Sequence, residues 1–178
     1  MPEVRKEFGF VRTVCACGEC TINCHFIPGY LIPADLERIA ARLGYDDLIE
    51  FAVNNLLASP GATVLDGGQV RQIPTLVPAR GGDSACTFLD GRDRCSIHGD
   101  SPFGCAFFDV HQSREESDRR SGYGLAEIDR AWSEGHLYAQ IWLLLRMLGL
   151  MAPSPVAARA RMNVALVTQK TTSVQHCS

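Results

Sequence analysis

The sequence predicts a small cysteine-rich α+β domain with a helical hairpin, a short β-hairpin and C-terminal helices. In several stretches apolar residues recur every three or four positions, as they do on one face of an α-helix. Between these stretches lies a β-rich segment, residues 67–97, that contains prolines and an Asp-Gly pair suited to a tight turn. The 178 residues are 46% hydrophobic, so one core is expected, and residues 1–178 are predicted to form a single domain.

Two helices are predicted to form the helical hairpin. The first begins near Pro33 and ends near Gly44. Its apolar face consists of Leu36, Ile39, Ala40 and Leu43. The second helix is predicted to begin at residue 46 or 47 and to be stopped by Pro60 and Gly61.

The segment from Gly67 to Arg80 is predicted to be extended, and its prolines restrict it to edge strands or irregular chain. Residues 85–97, ACTFLDGRDRCSI, predict two short strands around a turn at Asp90-Gly91. Such a hairpin would bring the cysteines at its two ends, Cys86 and Cys95, close together.

Residues 111–122 are polar and charged without periodicity, which predicts a solvated loop. A long helix should follow, with apolar residues from Ile128 onward and an end near Gly149. A last helix is expected to start at Ser154-Pro155 and to reach about Gln169. The C-terminal helical part is thus predicted at residues 123–170, and its apolar surface suits burial or a homodimer.

Charge and composition exclude several classes of partner. The net charge of −3 is spread along the chain, without the basic block expected of a nucleic-acid or anionic-membrane surface. The apolar run at residues 141–152 contains Arg146 and is shorter than the roughly 20 residues that span a membrane. The first residues lack the apolar run of a signal peptide, so we expect a cytoplasmic protein. In that reducing compartment, cysteine clusters more often bind metals or perform redox chemistry than form disulfides.

Seven of the eight cysteines form two groups in the sequence, and Cys177 stands alone near the C-terminus. The groups are Cys15, Cys17, Cys20 and Cys24, and Cys86, Cys95 and Cys105. The Cys17-Gly-Glu-Cys20 spacing makes a tight turn that lets both thiolates point at one metal ion, and Gly18 permits its backbone conformation. A redox pair would use the same spacing, but the βαβ context typical of such pairs is missing. Metal binding therefore explains seven clustered cysteines better than disulfides or a thiol redox pair.

The segments CACGEC, PADLERIA and CTFLDGRDRCSIHGDSPFGCAFF resemble, in the same order, the YkgJ-like cysteine-rich domain. That family is described as zinc- or iron-chelating and includes the flagellin lysine N-methylases. The resemblance covers residues 13–110, which it implies are a cysteine-rich metal-binding core. Five cysteines match the family pattern: Cys17, Cys20, Cys86, Cys95 and Cys105.

Three further positions depart from the family pattern but stay in the predicted ligand set. Cys15 lies one residue closer to Cys17 than in the family pattern. The family has two adjacent cysteines where this chain has Cys20 and Thr21, and Cys24 stands in for the second of them. His98 stands where the family has a tyrosine. The family has arginines around its last cysteine, whereas this chain has Ser101 and Ala106 at those positions.

The number of available ligands is compatible with zinc and with an iron–sulfur cluster. Two closed zinc sites need eight ligands, which the seven clustered cysteines and one of His25, His98 and His111 would supply. A four-iron cluster needs four thiolates. Among the histidines His98 is favoured, since it follows Cys95 by three residues. The resemblance implies an iron–sulfur cluster, 4Fe-4S, as the first expectation and zinc as the alternative.

Three functions are consistent with these features. The first is a metalloprotein whose cluster serves electron transfer or cluster-dependent chemistry, with a redox partner protein or a small-molecule substrate. The second is a group-transfer enzyme like the flagellin methylases, although the chain has no glycine-rich nucleotide motif. The third is an interaction module stabilised by zinc. No catalytic residue is predicted.

Overall fold

A computed structural model describes residues 4–5, 8–13, 15, 17–81 and 85–175. Its strands are β1 (Val4–Arg5), β2 (Phe10–Val11), β3 (Leu56–Asp66) and β4 (Gln69–Pro78). Its helices are α1 (Gly18–Phe26), α2 (Pro33–Leu43), α3 (Leu48–Asn55), α4 (Phe103–Ala106), α5 (Arg114–Ser133), α6 (Leu137–Met147) and α7 (Pro155–Gln175), with a 3-10 turn at His98–Asp100. Strand β1 pairs with β2, and β3 pairs with β4, both antiparallel. The α+β class is confirmed.

Helix α2 forms where its sequence pattern places it. Pro33 occupies the first turn, and Gly44 ends the helix in the left-handed conformation with φ of 79°. Leu36, Ile39 and Ala40 are fully buried on the inner face. Helix α3 follows after a short turn and is capped by the Asp47 carboxylate, which accepts hydrogen bonds from two backbone N–H groups. The predicted helical hairpin is therefore present.

The prediction that the second helix continues to Pro60 is wrong, because α3 ends at Asn55 and the chain enters β3. Gly67 and Gly68 both have positive φ and form the two-residue turn that pairs β3 with β4. Pro60 and Gly61 lie at an irregularity in the strand pairing, where Gly61 adopts φ of 80°. Long-range strand pairing thus prevails over the local helical pattern.

The predicted strands at residues 85–97 are also wrong: the domain's β-hairpin lies at residues 56–78. Residues 85–97 instead form a compact loop with single bridges between Arg80 and Cys86 and between Leu89 and Cys95. The Asp90 carboxylate accepts hydrogen bonds from the backbone N–H groups of Arg92 and Arg94, at 2.8 and 3.0 Å. These bonds satisfy the turn internally, so the loop holds its shape without a strand ladder.

The prediction of a loop at residues 111–122 is wrong, because α5 begins at Arg114. Ser113 caps this helix by accepting from the Glu116 N–H, and Glu116 pairs with Arg119 and Arg120 at 2.9 and 2.6 Å. These pairs lie three and four residues apart, so charge pairing stabilises the helix where apolar periodicity is weak. The single long helix predicted from Ile128 to Gly149 is divided, because Gly135 adopts φ of 63° between α5 and α6.

The N-terminal segment is held by an aromatic and cationic anchor. Phe10 is buried beside Phe103 and Phe107 of the α4 region. The buried Arg120 guanidinium donates to the carbonyl oxygens of Val11 and Phe107 at 3.0 and 2.8 Å. Strand β2 is consequently fixed against α4 and α5, which places the cysteines that follow it.

Both tryptophans have structural roles. The Trp132 indole N–H donates to the carbonyl oxygen of Pro74, and that of Trp142 donates to Ser59. They tie α5 and α6 to the β3–β4 hairpin. Helix α7 begins at Pro155 as predicted, with the Ser154 hydroxyl accepting from the Ala157 N–H. Within the described residues, no helix combines the length and apolar character needed to cross a membrane.

Candidate metal centre

Three segments meet beside the start of α1. The Thr13 N–H donates to the Ala106 carbonyl oxygen at 2.8 Å, which ties the N-terminal segment to α4. The Asp109 carboxylate accepts from the Thr13 hydroxyl at 2.6 Å and from the His111 N–H at 2.9 Å. One carboxylate thus joins the segment that carries Cys15 to the loop that carries His111.

The turn around Cys17 positions the next two thiols. Cys17 is the N-cap of α1, and its carbonyl oxygen accepts hydrogen bonds from the N–H groups of Cys20 and Thr21, at 3.1 and 2.9 Å. The Thr21 hydroxyl donates to the same carbonyl oxygen. Cys17 and Cys20 therefore lie in one tight turn, in agreement with the interpretation of the Cys-x-x-Cys spacing.

Four donor atoms converge at this point: one from each of Cys15, Cys17, Cys20 and His111. All of them lie within 4.8 Å of one another, and Cys17 Sγ is 3.3 Å from His111 Nε2. Around one tetrahedral zinc ion, sulfur ligands with Zn–S bonds of roughly 2.3 Å lie about 3.7 Å apart. The group can therefore bind one metal ion after small side-chain movements.

The Cys17 thiol and the His111 imidazole stabilise each other's charged forms. Contact with His111, the Cys20 backbone N–H and the Cys15 side chain lower the pKa of Cys17 to about 6. The same contact with Cys17 raises the pKa of His111. A thiolate is the form that binds a metal, so Cys17 is prepared as a ligand at neutral pH.

Cys20 has the opposite electrostatic environment. Burial is the largest cause that raises its pKa to about 12, and the neighbouring thiols of Cys15 and Cys17 raise it further. The backbone N–H of Val110 donates to its sulfur and partly offsets these effects. A cation at the centre of the group would stabilise the Cys20 thiolate, and binding would release its proton.

The seven clustered cysteines all lie in the described part of the chain, and none of the seven forms a disulfide there. Only three of them belong to the Cys3His group. The other four, Cys24, Cys86, Cys95 and Cys105, line a cavity of about 1130 Å³ that Cys15 and Cys20 also line. Cys177 lies outside the described residues.

The three candidate histidines have different surroundings. His111 belongs to the Cys3His group, although the sequence favoured His98 among the three candidates. His98 follows Cys95 in a 3-10 turn, where its N–H donates to the Cys95 carbonyl oxygen at 3.2 Å, and its role as a ligand stays a prediction. His25 Nε2 lies 3.0 Å from an Asp93 carboxylate oxygen. Sequence proximity pointed to His98, whereas the Thr13–Asp109 contact that places His111 joins residues 96 positions apart.

Comparisons with known proteins return no match, whether the chain is compared with models of protein families, with curated proteins or with solved structures.

Proposed function

We propose that this protein binds a metal ion in a tetrahedral site formed by Cys15, Cys17, Cys20 and His111, and that zinc stabilises the fold there. The observation that carries the proposal is the convergence of four donor atoms within 4.8 Å of one another. Three thiolates and one imidazole are a common ligand set of structural zinc.

The spacing of the donors favours a single ion over an iron–sulfur cluster at this position. In a four-iron cluster each cysteine binds a different iron atom, so the ligand sulfurs must surround a larger body. The Cys3His donors are too close together for that arrangement without a large movement of the chain. Zinc is therefore preferred here to the iron–sulfur cluster that the YkgJ-like resemblance implies.

Four protein ligands also favour a structural role over a catalytic one. Catalytic zinc sites keep one position for water or substrate, whereas structural sites use all four positions for the protein. In this protein the ion would join three segments: the chain after β2, the start of α1 and the loop after α4. The binding free energy would therefore contribute to folding.

The YkgJ-like relationship and the partners stay proposals. A homodimer through the C-terminal helices is supported by exposed apolar side chains at α6, namely Leu143, Met147 and Leu148. An electron-transfer role would require a redox-active centre with a protein partner or a small-molecule substrate.

The histidine ligand can be tested by exchanging His111 for alanine. We expect His111→Ala to weaken zinc binding at this site by about tenfold or more, because even groups that only support a ligand contribute tenfold to a hundredfold. Zinc competition against a chromophoric chelator, with circular dichroism of each variant, measures the effect.

His98→Ala is the matched control, because it removes the histidine that the sequence favoured and should leave zinc affinity unchanged. Equal loss in both variants, or wild-type affinity in His111→Ala, would contradict the assignment. Anaerobically purified protein that contains iron and stoichiometric sulfide, but no zinc, would support the cluster instead.

A further inference from the structure

We infer that Cys24, Cys86, Cys95 and Cys105 form a second metal centre, separate from the Cys3His site, which binds a soft metal ion through four thiolates. This inference does not depend on the proposed zinc site, because the two sites share no ligand. The seven clustered cysteines then divide into three ligands of the Cys3His site and four ligands of the second centre. This division differs from the two groups in the sequence, because Cys24 joins the later cysteines.

Main-chain contacts bring the first three of these cysteines together. The Cys86 N–H donates to the Cys24 carbonyl oxygen at 2.8 Å, which joins α1 to the loop at 85–97. Leu89 connects the two cysteines of that loop, since its N–H donates to the Cys86 carbonyl oxygen at 2.9 Å and it forms a bridge with Cys95.

The fourth cysteine reaches the group through a close backbone contact. Gly29 and Gly104 pack so tightly that a Cβ on Gly29 would lie 2.1 Å from the Gly104 carbonyl carbon. The Gly29 N–H donates to Cys105 Sγ at 3.2 Å. An N–H···S bond of this kind supports a thiolate and orients the sulfur.

The four thiols influence one another electrostatically. Burial raises the pKa of Cys86 to about 12, and Cys24 and Cys95 raise it further. Burial also raises the pKa of Cys105, and the other three cysteines raise it further. Burial raises the pKa of Cys24 too, and Cys95 adds to that increase. All four thiols line one cavity, and the direction of each shift fits thiols that are neighbours there. A cation in that space would reverse the effect by stabilising the thiolates.

Two arginine side chains offset part of the negative charge that four thiolates would carry. Arg80 interacts favourably with Cys86 and donates to the carbonyl oxygens of His25 and Phe26, at the end of α1. Arg12 has the same favourable interaction with Cys95. Two guanidinium groups thus flank the four sulfurs, and the cavity lined by all four gives an ion access.

Metal binding at these four cysteines requires side-chain movement. Among the described residues, no three of their sulfurs lie within 4.8 Å of one another, whereas the four Cys3His donors do. Cys95 is half-buried and lies on the compact loop at residues 85–97. Sulfur-only ligand sets select soft metals such as zinc, cadmium and copper(I).

Cadmium-113 NMR distinguishes the two centres, because the chemical shift of bound cadmium depends on the number of sulfur ligands. Metal-free protein loaded with cadmium should give two resonances, one in the four-sulfur range and one in the three-sulfur, one-nitrogen range. We expect Cys105→Ser and Cys95→Ser to shift or remove only the first resonance. Cys17→Ser, the matched control, should affect only the second.

The absence of a four-sulfur resonance in wild-type protein would overturn the inference. So would loss of the same resonance in Cys95→Ser and Cys17→Ser, because that result means one shared centre. If only the four-sulfur resonance is present, the inference stands while the proposed zinc site fails. Cys95→Ser keeps the test decisive if the buried Cys105→Ser variant does not fold, and circular dichroism checks the fold of each variant.

Discussion

Replacing Asp35 with alanine is expected to lower the free energy of unfolding by about 4 kcal/mol. The carboxylate is completely buried, with 0% exposure, and accepts from the N–H groups of Ile32 and Phe103 at 3.0 and 2.7 Å. Arg38 pairs with its other oxygen at 2.5 Å. The substitution leaves two buried N–H groups and one guanidinium without this partner. Urea unfolding followed by circular dichroism measures the change.

Asp47→Ala is the matched control for this prediction. Asp47 also accepts from two backbone N–H groups, at Ile49 and Glu50, but it is an exposed helix cap. Its loss should cost about 1 kcal/mol. Similar costs for the two aspartates would mean that the buried contact between α2 and α4 does not stabilise the fold as described.

Replacing Gly29 with alanine is expected to lower the free energy of unfolding by about 3 kcal/mol. The new Cβ would lie 2.1 Å from the Gly104 carbonyl carbon and 2.4 Å from the Cys105 nitrogen. Backbone atoms cannot rotate away as side chains can, so the two segments must separate. Because Cys105 lies on one of them, Gly29→Ala should also weaken cadmium binding in the four-sulfur site. Urea unfolding and cadmium-113 NMR measure the two effects.

Gly122→Ala provides the comparison within α5, where an added Cβ meets no atom within 4 Å. Alanine is favoured over glycine inside a helix, so stability should stay the same or rise by up to about 1 kcal/mol. If Gly29→Ala were as stable as Gly122→Ala, the close approach of Gly29 and Gly104 would be wrong.

The helices that could be predicted from sequence are those with strong local signals. Helix α2 has a four-residue apolar face, Pro33 in its first turn and Gly44 at its end, and it forms at the predicted residues. Helix α5 could not be found in this way at its start, because its stability there comes from Glu116 pairing with two arginines. Strand β3 could not be predicted because its first residues continue the helical pattern of α3, and only pairing with β4 makes them extended.

The sequence predicts that cysteines bind a metal at the candidate site, but it identifies only some of the ligands. Cys17 and Cys20 are local, and their spacing alone predicts a shared ion. His111 reaches them because Asp109 holds its backbone, and the contact of Asp109 with Thr13 depends on the packing of β2 against α4. Cys24 is one helical turn from Cys20, yet its carbonyl oxygen accepts a hydrogen bond from the Cys86 N–H. Such assignments require the tertiary structure.

A crystal structure of the zinc-loaded protein, with an anomalous difference map at the zinc absorption edge, tests the Cys3His site. We expect a peak bonded to the sulfurs of Cys15, Cys17 and Cys20 and to His111, with bonds of about 2.3 Å to sulfur and about 2.0 Å to nitrogen. A map with no zinc at these four residues, in protein that binds zinc in solution, would contradict it.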